Sequence, residues 1–214
     1  MDDDLRFRIN PFDWTSRTRG FGRILDPEAV GQRGRTGFDC IIGNPPYIRV
    51  QELNKWAPEE CEFYKWRYKS AAKGNYDIYV VFTEKALSLL APDGLLGFII
   101  PHKFLNKDYA NGPRQVLVER QSVHSMIHFN AHQVFRGVTT YTAILILQGS
   151  PIVSAIEFVS IEKLDDGTET MQKLAAARNS VAGWFTISAH QHPSAAGQWS
   201  FATSPLLAAT GHLP

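Results

Sequence analysis

The amino-acid sequence predicts an α/β fold whose sheet is mostly parallel, with an antiparallel hairpin late in the chain. An apolar strand at residues 40–42 is followed by a helix over residues 76–90 and a second apolar strand at residues 95–100. This is the order of a parallel βαβ unit. Residues 138–147 and 155–161 have strand composition and flank a Gly-Ser-Pro turn, which predicts the hairpin.

The composition indicates a folded globular chain. Its 214 residues include 44% hydrophobic and 20% charged side chains, and the formal net charge is +1. No apolar run approaches the roughly 18 residues of a membrane helix, and the acidic first residues do not resemble a secretory signal. Cys40 and Cys61 have no metal-ligand spacing, and Cys40 is expected to be a buried thiol. We therefore predict a cytoplasmic protein without a metal site.

Two early segments lack a clear strand or helix pattern. Residues 1–37 are rich in Gly, Arg and polar side chains, so we predict an N-terminal extension that is mostly loop. Residues 48–73 alternate charged and aromatic side chains, which favours a mobile, partly helical excursion beside the first strand. These side chains either contact DNA or pack over the core, and the sequence leaves both readings open.

The last part of the chain has a different character from the predicted sheet. Residues 107–121 predict a helix and residues 122–129 a strand. Residues 162–214 contain a short predicted helix at 170–177 and are then rich in Ala, Ser, His, Gly and Pro. We therefore separate residues 38–161, which hold the predicted sheet, from residues 162–214, a linker or the truncated start of a further domain.

The tetrapeptide Asn44-Pro45-Pro46-Tyr47 directly follows the first strand. Each proline fixes φ and favours extended geometry in the residue before it, so Asn44 should project from stiff backbone at the strand end. In open α/β sheets, ligands bind at this end of the strands. The Asn44 side-chain oxygen and the Pro45 carbonyl suit methyl transfer to a planar amino group, because they accept both N–H hydrogens and stabilise developing positive charge. An ordinary turn is the alternative for the tetrapeptide alone.

Residues 38–47 resemble the catalytic motif of the adenine-N6 DNA methyltransferases that carry Asn-Pro-Pro-Tyr. Three later stretches, residues 74–82, 94–105 and 134–140, resemble the motifs that follow in that family, in the same order. Their character is nearest to the restriction-modification and phage-defence methylases. The resemblance implies a Rossmann-like methyltransferase sheet and methyl transfer from S-adenosylmethionine to adenine N6 in double-stranded DNA.

The resemblance also implies roles for individual residues. Asn44, Pro45, Pro46 and Tyr47 would form the catalytic motif, in which the first two hold the amino group. Tyr47 and Phe135 would enclose a base that is flipped out of the duplex. From spacing alone, Phe135 is better explained as a core aromatic residue.

The cofactor side of the site is less complete in the sequence. Phe82 and Pro46 would contact S-adenosylmethionine, although spacing alone also favours a core position for Phe82. The family binds this cofactor chiefly through a glycine-rich strand-to-helix turn, and neither residues 1–37 nor residues 150–214 contain one. We therefore expect the catalytic-side part of a larger methylase, with the cofactor-binding and target-recognition segments as its partners.

Two other functions remain open from the sequence. A protein-glutamine N5 methyltransferase also uses Asn-Pro-Pro-Tyr, because a carboxamide nitrogen has the same delocalised lone pair. The Phe135 motif and the excursion at residues 48–73 argue against it. A non-catalytic remnant that binds DNA or a partner chain is the second alternative, and the missing cofactor turn favours it.

Overall fold

One six-stranded sheet organises the computed structural model, which describes residues 12–26, 36–135, 137, 139–165, 168–177 and 179–201. The strands are β1 Phe38–Gly43, β2 Leu90–Pro101, β3 Val123–His128, β4 Thr142–Gln148, β5 Ile156–Ile161 and β6 Phe185–His190. The helices within these residues are α1 Gly22–Leu25, α2 Val50–Leu53, α3 Pro58–Arg67, α4 Tyr79–Leu89, α5 Asn111–Arg120 and α6 Thr168–Ala176.

The strand order is β1-β2-β4-β3-β5-β6. β1 is parallel to β2 and β3 is parallel to β5, whereas β4 is antiparallel to both neighbours and β6 is antiparallel to β5. Four strands therefore share one direction and two run against it. This confirms the mixed α/β fold with a mostly parallel sheet, and β1, α4 and β2 form the predicted βαβ unit.

The prediction that residues 138–147 and 155–161 pair as a hairpin is wrong. β4 pairs with β2 and β3 and not with β5, so it lies inside the sheet. Leu145 on one face of β4 is almost fully buried, and Ile144 on the other face packs against the cluster around Phe185. A strand that is apolar on both faces is most stable with neighbours on both sides. The late antiparallel pair is β5 with β6, in which Ile156 lies opposite His190.

The sheet is covered on both faces. α4 packs against one face through Val80 and Leu87, and Phe98 of β2 joins the same core cluster. The next residue of β2, Ile99, packs on the opposite face with the cluster around Phe185, because successive side chains of a strand point to opposite sides. α6 belongs to this second face, to which it contributes Met171 and Leu174.

β1 lies at the edge of the sheet, so the prediction that it is a buried strand is wrong. Cys40, expected to be a buried thiol, is exposed, and Ile42 is 86% exposed. Within the described residues its strand neighbour is β2 alone. An apolar run indicates burial only when a strand is covered from both sides, and local sequence does not contain that information.

The sheet continues beyond residue 161. α6 and β6 follow it and pack into the second core face, so the predicted boundary at 161 falls inside the sheet. Residues 1–11, 27–35 and 202–214 lie outside the described part, and with them most of the predicted N-terminal loop. In the part that is described, no helix has the length and apolar character needed to cross a membrane, and no group of three or more His, Cys, Asp or Glu side chains could hold a metal.

Candidate active site

The predicted catalytic segment lies at the edge of the sheet where the parallel strands end. β1, β2 and β3 all end there because they share one direction. Three segments follow these strands at that edge: residues 44–47, 102–110 and 129–141. In α/β sheets this is the edge that binds ligands, so all three segments lie at the edge where a site is expected.

Asn44 lies at the surface on an anchored backbone. Its side chain is exposed, whereas Pro45 is buried immediately after it. Gly43 allows the end of β1 to pass the ring of Phe98, because an added β-carbon would lie 3.1 Å from Cε1 of that ring. The Asn44 amide is therefore accessible at the carboxyl end of β1, next to a proline that the core holds in place.

Tyr47 is fixed by two contacts. Its hydroxyl donates to the carbonyl of Ile99 at 2.8 Å, and its ring meets Tyr79 edge to face with 6.3 Å between centroids. Burial raises the pKa of Tyr47 to about 12, so the hydroxyl remains a donor at neutral pH. A ring held in this way is already oriented for a ligand, which lowers the cost of binding.

A short ribbon fastens the catalytic segment to the start of α4. Two backbone hydrogen bonds of 2.8 Å join the residues after Tyr47 to those before the helix. Arg49 and Asp77 lie opposite each other between these bonds, so their side chains share one face. Burial raises the pKa of Asp77, and Arg49 and then Lys103 act to lower it. Sequence reasoning missed this charged group, because only the register of the ribbon brings it together.

A groove of about 810 Å³ runs between the β1 edge and α4. Phe82, predicted to contact the cofactor, is 44% exposed and lines this groove together with Phe38 and Ile42. Lys85 also lines it, and its ammonium lies 5.5 Å from the ring of Trp14. Pro46, the other predicted cofactor residue, is half-buried and does not belong to the described lining.

The groove fits the apolar side of a nucleoside cofactor. Its volume lies in the range of small-molecule sites, which are lined mainly by apolar and aromatic side chains with a few polar groups. The exposed ring of Phe82 offers a stacking surface, and Glu60 and Arg67 supply charge among the lining residues. The residues present therefore fit S-adenosylmethionine on this side of the site.

Phe135 is half-buried in the loop between β3 and β4, at the same sheet edge as Tyr47. The preceding Val134 packs into the core cluster on the α6 face. β4 and β2 separate β3 from β1, and three strand spacings amount to about 14 Å. The loop must therefore reach across two strands for Phe135 to face Tyr47. Arg136 and Val138 of the same motif lie outside the described residues.

Sequence comparison matches residues 1–135 to the Eco57I restriction-modification methylase family. The chain is similar to the Type II restriction enzyme and methyltransferase RM.Eco57I of Escherichia coli, with 37% identity over 141 residues, which cover 66% of this chain and 12% of that protein. It is also similar to the Type II methyltransferase M.HincII of Haemophilus influenzae, with 30% identity over 139 residues that cover 65% and 28%. The chain thus spans a minor part of the length of these relatives.

Two solved structures share the fold. The ATP-dependent Type ISP restriction-modification enzyme LlaBIII bound to DNA aligns with 91% of this chain and 14% of its own, at a TM-score of 0.51 and 18% identity. The type IIG restriction endonuclease BpuSI aligns with 72% of this chain and 19% of its own, at a TM-score of 0.50 and 16% identity. At these identities the likeness concerns the fold alone.

Proposed function

We propose that this chain, which belongs to the Eco57I restriction-modification methylase family, carries the amino-group site of an adenine-specific DNA methyltransferase. The methyl donor is S-adenosylmethionine, and the substrate is an adenine flipped out of double-stranded DNA. The observation that carries the proposal is the exposed Asn44 amide at the carboxyl end of β1, beside the fixed ring of Tyr47. The proposed setting is the cytoplasm.

The chain's own groups act on the amino group and the base. Asn44 Oδ1 and the Pro45 carbonyl accept hydrogen bonds from the two N6 hydrogens, which stabilises the positive charge that grows on nitrogen as it is methylated. One of these protons is then lost to solvent, and the product is neutral. The ring of Tyr47 stacks on the base, and Phe135 closes on the other face. Such stacking contributes about 1–3 kcal/mol per base in nucleic-acid complexes.

S-adenosylmethionine, when bound, supplies the methyl group from a sulfonium centre. Phe82 would hold the cofactor in the groove beside β1, and Pro46 would contact it from the catalytic segment. The methyl group would pass from the sulfonium sulfur to the N6 nitrogen that Asn44 holds. The geometry of the groove supports this placement through the exposed Phe82 ring.

The partners are double-stranded DNA and the remaining segments of a larger methylase. The DNA-bound state of LlaBIII, which shares the fold, supports the first partner. The exposed edge of β1 supports the second, because an apolar edge strand readily pairs with an added strand. In this proposal the cofactor-binding segment docks along Cys40 and Ile42 and completes the groove.

Methyl transfer from labelled S-adenosylmethionine to unmethylated genomic DNA tests the proposal. The chain is assayed alone and co-expressed with the proposed cofactor-binding and target-recognition segments. We expect label in DNA, and about 100-fold less with Asn44→Ala, because an acceptor aimed at the transition state is lost. Asn54→Ala is the matched control, since Asn54 is an exposed amide on the neighbouring helix end.

Three results would oppose the proposal. Label in protein instead of DNA would indicate the glutamine methyltransferase. Label in DNA that Asn44→Ala does not reduce would remove the assigned site. No label from either preparation, with the chain folded, would indicate a non-catalytic DNA-binding or partner-binding remnant.

A further inference from the structure

A stacked pair of histidines connects the ends of three strands near the candidate site. The rings of His102 and His128 lie 4.8 Å apart between centroids, with 5° between their planes. His102 directly follows β2 and His128 is the last residue of β3. The backbone N–H of His102 also donates to the carbonyl of Tyr141, just before β4, at 3.1 Å. His102 thus contacts both ends of the loop of residues 129–141, which contains Phe135.

Asn130 determines which nitrogen of His128 carries the proton. The Asn130 Nδ2 donates to the Ile161 carbonyl at 2.8 Å and to Ser160 Oγ at 2.9 Å, so its Oδ1 faces His128 Nδ1 at 2.8 Å. Nδ1 must therefore be the protonated nitrogen of the neutral ring. The Asn130 backbone N–H also lies 3.2 Å from Nδ1. A protonated Nδ1 has no free lone pair, so it cannot accept a hydrogen bond from this N–H. Asn130 has a φ of 52°, a left-handed conformation that asparagine tolerates.

The surroundings favour neutral rings in both histidines. Burial lowers the pKa of His102, and His128 and Lys103 act in the same direction. Burial also lowers the pKa of His128, although the hydrogen bond with Asn130 opposes this. His102 Nδ1 is buried and has no hydrogen-bond partner among the described residues. A proton on that nitrogen would be a buried, unsatisfied donor, which is costly.

The groups that face the pair from the other elements do not compensate a positive charge. The ring of Tyr141 lies 5.9 Å from His102, and Phe158 of β5 lies 5.8 Å from His128. Phe158 stands between His128 and His190 of β6, whose own pKa burial lowers. Lys103 is a cation, so it adds to the repulsion that a charged imidazole would meet.

We infer that His102 and His128 are positioning residues whose neutral stack holds the described parts of this loop, residues 129–135 and 139–141, and with them Phe135, at the carboxyl edge of the sheet. Protonation of the stack releases the loop. The role of Phe135 in this inference rests on the proposed function. The stack and its loss in acid do not depend on that function.

The direction of the pH dependence follows from the lowered pKa values. Each histidine has a pKa below its ordinary value of about 6.5 while stacked, so the opened state takes up protons more readily. The stabilisation from the neutral stack is therefore complete above about pH 6.5 and decreases as the pH falls below it. We expect the loop to open in mild acid.

Hydrogen exchange of the whole chain at about pH 7.5 and about pH 5.5, corrected for intrinsic exchange rates, tests the inference. In the wild type, protection of residues 129–141 should fall about fivefold or more in acid. In His102→Phe the stacked ring remains but cannot be protonated, and no side-chain hydrogen bond seen at Nδ1 is lost. Its acid-induced loss of protection should shrink to about twofold, because His128 alone remains to be protonated.

Two further variants separate stacking from general destabilisation. His102→Ala removes the ring and should lower the protection of the loop at both pH values. His124→Gln replaces an exposed histidine on the same β3 strand, where its partner is Ser125, and should behave like the wild type. Equal acid sensitivity in the wild type and His102→Phe, or no acid sensitivity in the wild type, would overturn the inference.

The pH profile of methylation links the stack to the site. His102→Phe should extend activity to lower pH than the wild type, whereas a merely structural histidine would leave the profile unchanged. If no variant methylates DNA while the exchange results appear as expected, the loop inference stands and the proposed function fails. If methylation is found but its acid limb is the same in both proteins, the positioning role is wrong.

Discussion

The two edges of the sheet are finished differently. At the β6 edge the chain covers its own backbone: Ser180 Oγ accepts from the N–H of Ile187 at 2.7 Å, and Val181 forms a bridge with Phe185. At the β1 edge, Ile42 is 86% exposed and a groove of about 810 Å³ opens beside it. Exposed apolar edges tend to pair with further strands, so proteins usually protect them. The unprotected edge is therefore the one that carries the proposed catalytic segment.

Replacing one phenylalanine at each edge should give the largest difference in stability between the two edges. Phe185 is fully buried at the protected edge, whereas Phe82 is 44% exposed at the open one. Phe185→Ala should lower the free energy of unfolding by about 3–5 kcal/mol, because it leaves a cavity in the core. Phe82→Ala should cost less than about 1 kcal/mol. Urea denaturation measures both, and similar losses would contradict the difference between the edges.

The contact that fixes Tyr47 should have a smaller effect. Tyr47→Phe keeps the ring against Tyr79 but removes the hydrogen bond to the Ile99 carbonyl, which should cost about 1 kcal/mol of stability. Tyr141→Phe is the control, since no described hydrogen bond involves its hydroxyl, and it should change stability by less than about 0.5 kcal/mol. Equal stabilities for the two variants would show that the Tyr47 bond does not hold the catalytic segment.

The smallest effect on stability should come from the open edge itself. Ile42→Lys should alter the free energy of unfolding by less than about 0.5 kcal/mol, because the side chain is already exposed. A charge on the edge should nevertheless block strand addition, so co-purification with the proposed cofactor-binding segment should be lost. Val153→Lys, at a residue 97% exposed in a loop, is the control. If Ile42→Lys still co-purifies normally, the β1 edge is not the docking surface.

The sequence predicted those parts of the fold that local pattern determines. The helical spacing of Ile78, Phe82, Ala86 and Leu89 and the breakers after residue 90 predicted α4, although Phe82 is 44% exposed. Apolar runs predicted β2 and β4, and alternation predicted β3. The sequence did not predict which strands pair with each other. Nothing local indicated that β4 lies between β2 and β3, because pairing depends on which buried faces the whole sheet brings together.

In the candidate site, too, the sequence predicted the residues that local pattern determines and missed those that distant segments bring together. The residues of the Asn-Pro-Pro-Tyr segment could be selected from the sequence because the prolines and the preceding strand act locally. The opposed Arg49 and Asp77 could not, since a ribbon between distant segments creates the pair. The stack of His102 on His128 likewise requires the ends of two strands to meet at one edge. Long-range register is therefore the missing information in both cases.

The identity of the methylated nucleoside tests directly whether the chain carries an adenine-specific site. DNA incubated with labelled S-adenosylmethionine and the co-expressed chain is digested to nucleosides, which are separated and identified by mass spectrometry. We expect the label in N6-methyldeoxyadenosine, and about 100-fold less of it with Asn44→Ala, as an adenine-specific site requires. Label in N4-methyldeoxycytidine, or in a protein glutamine, would contradict this expectation.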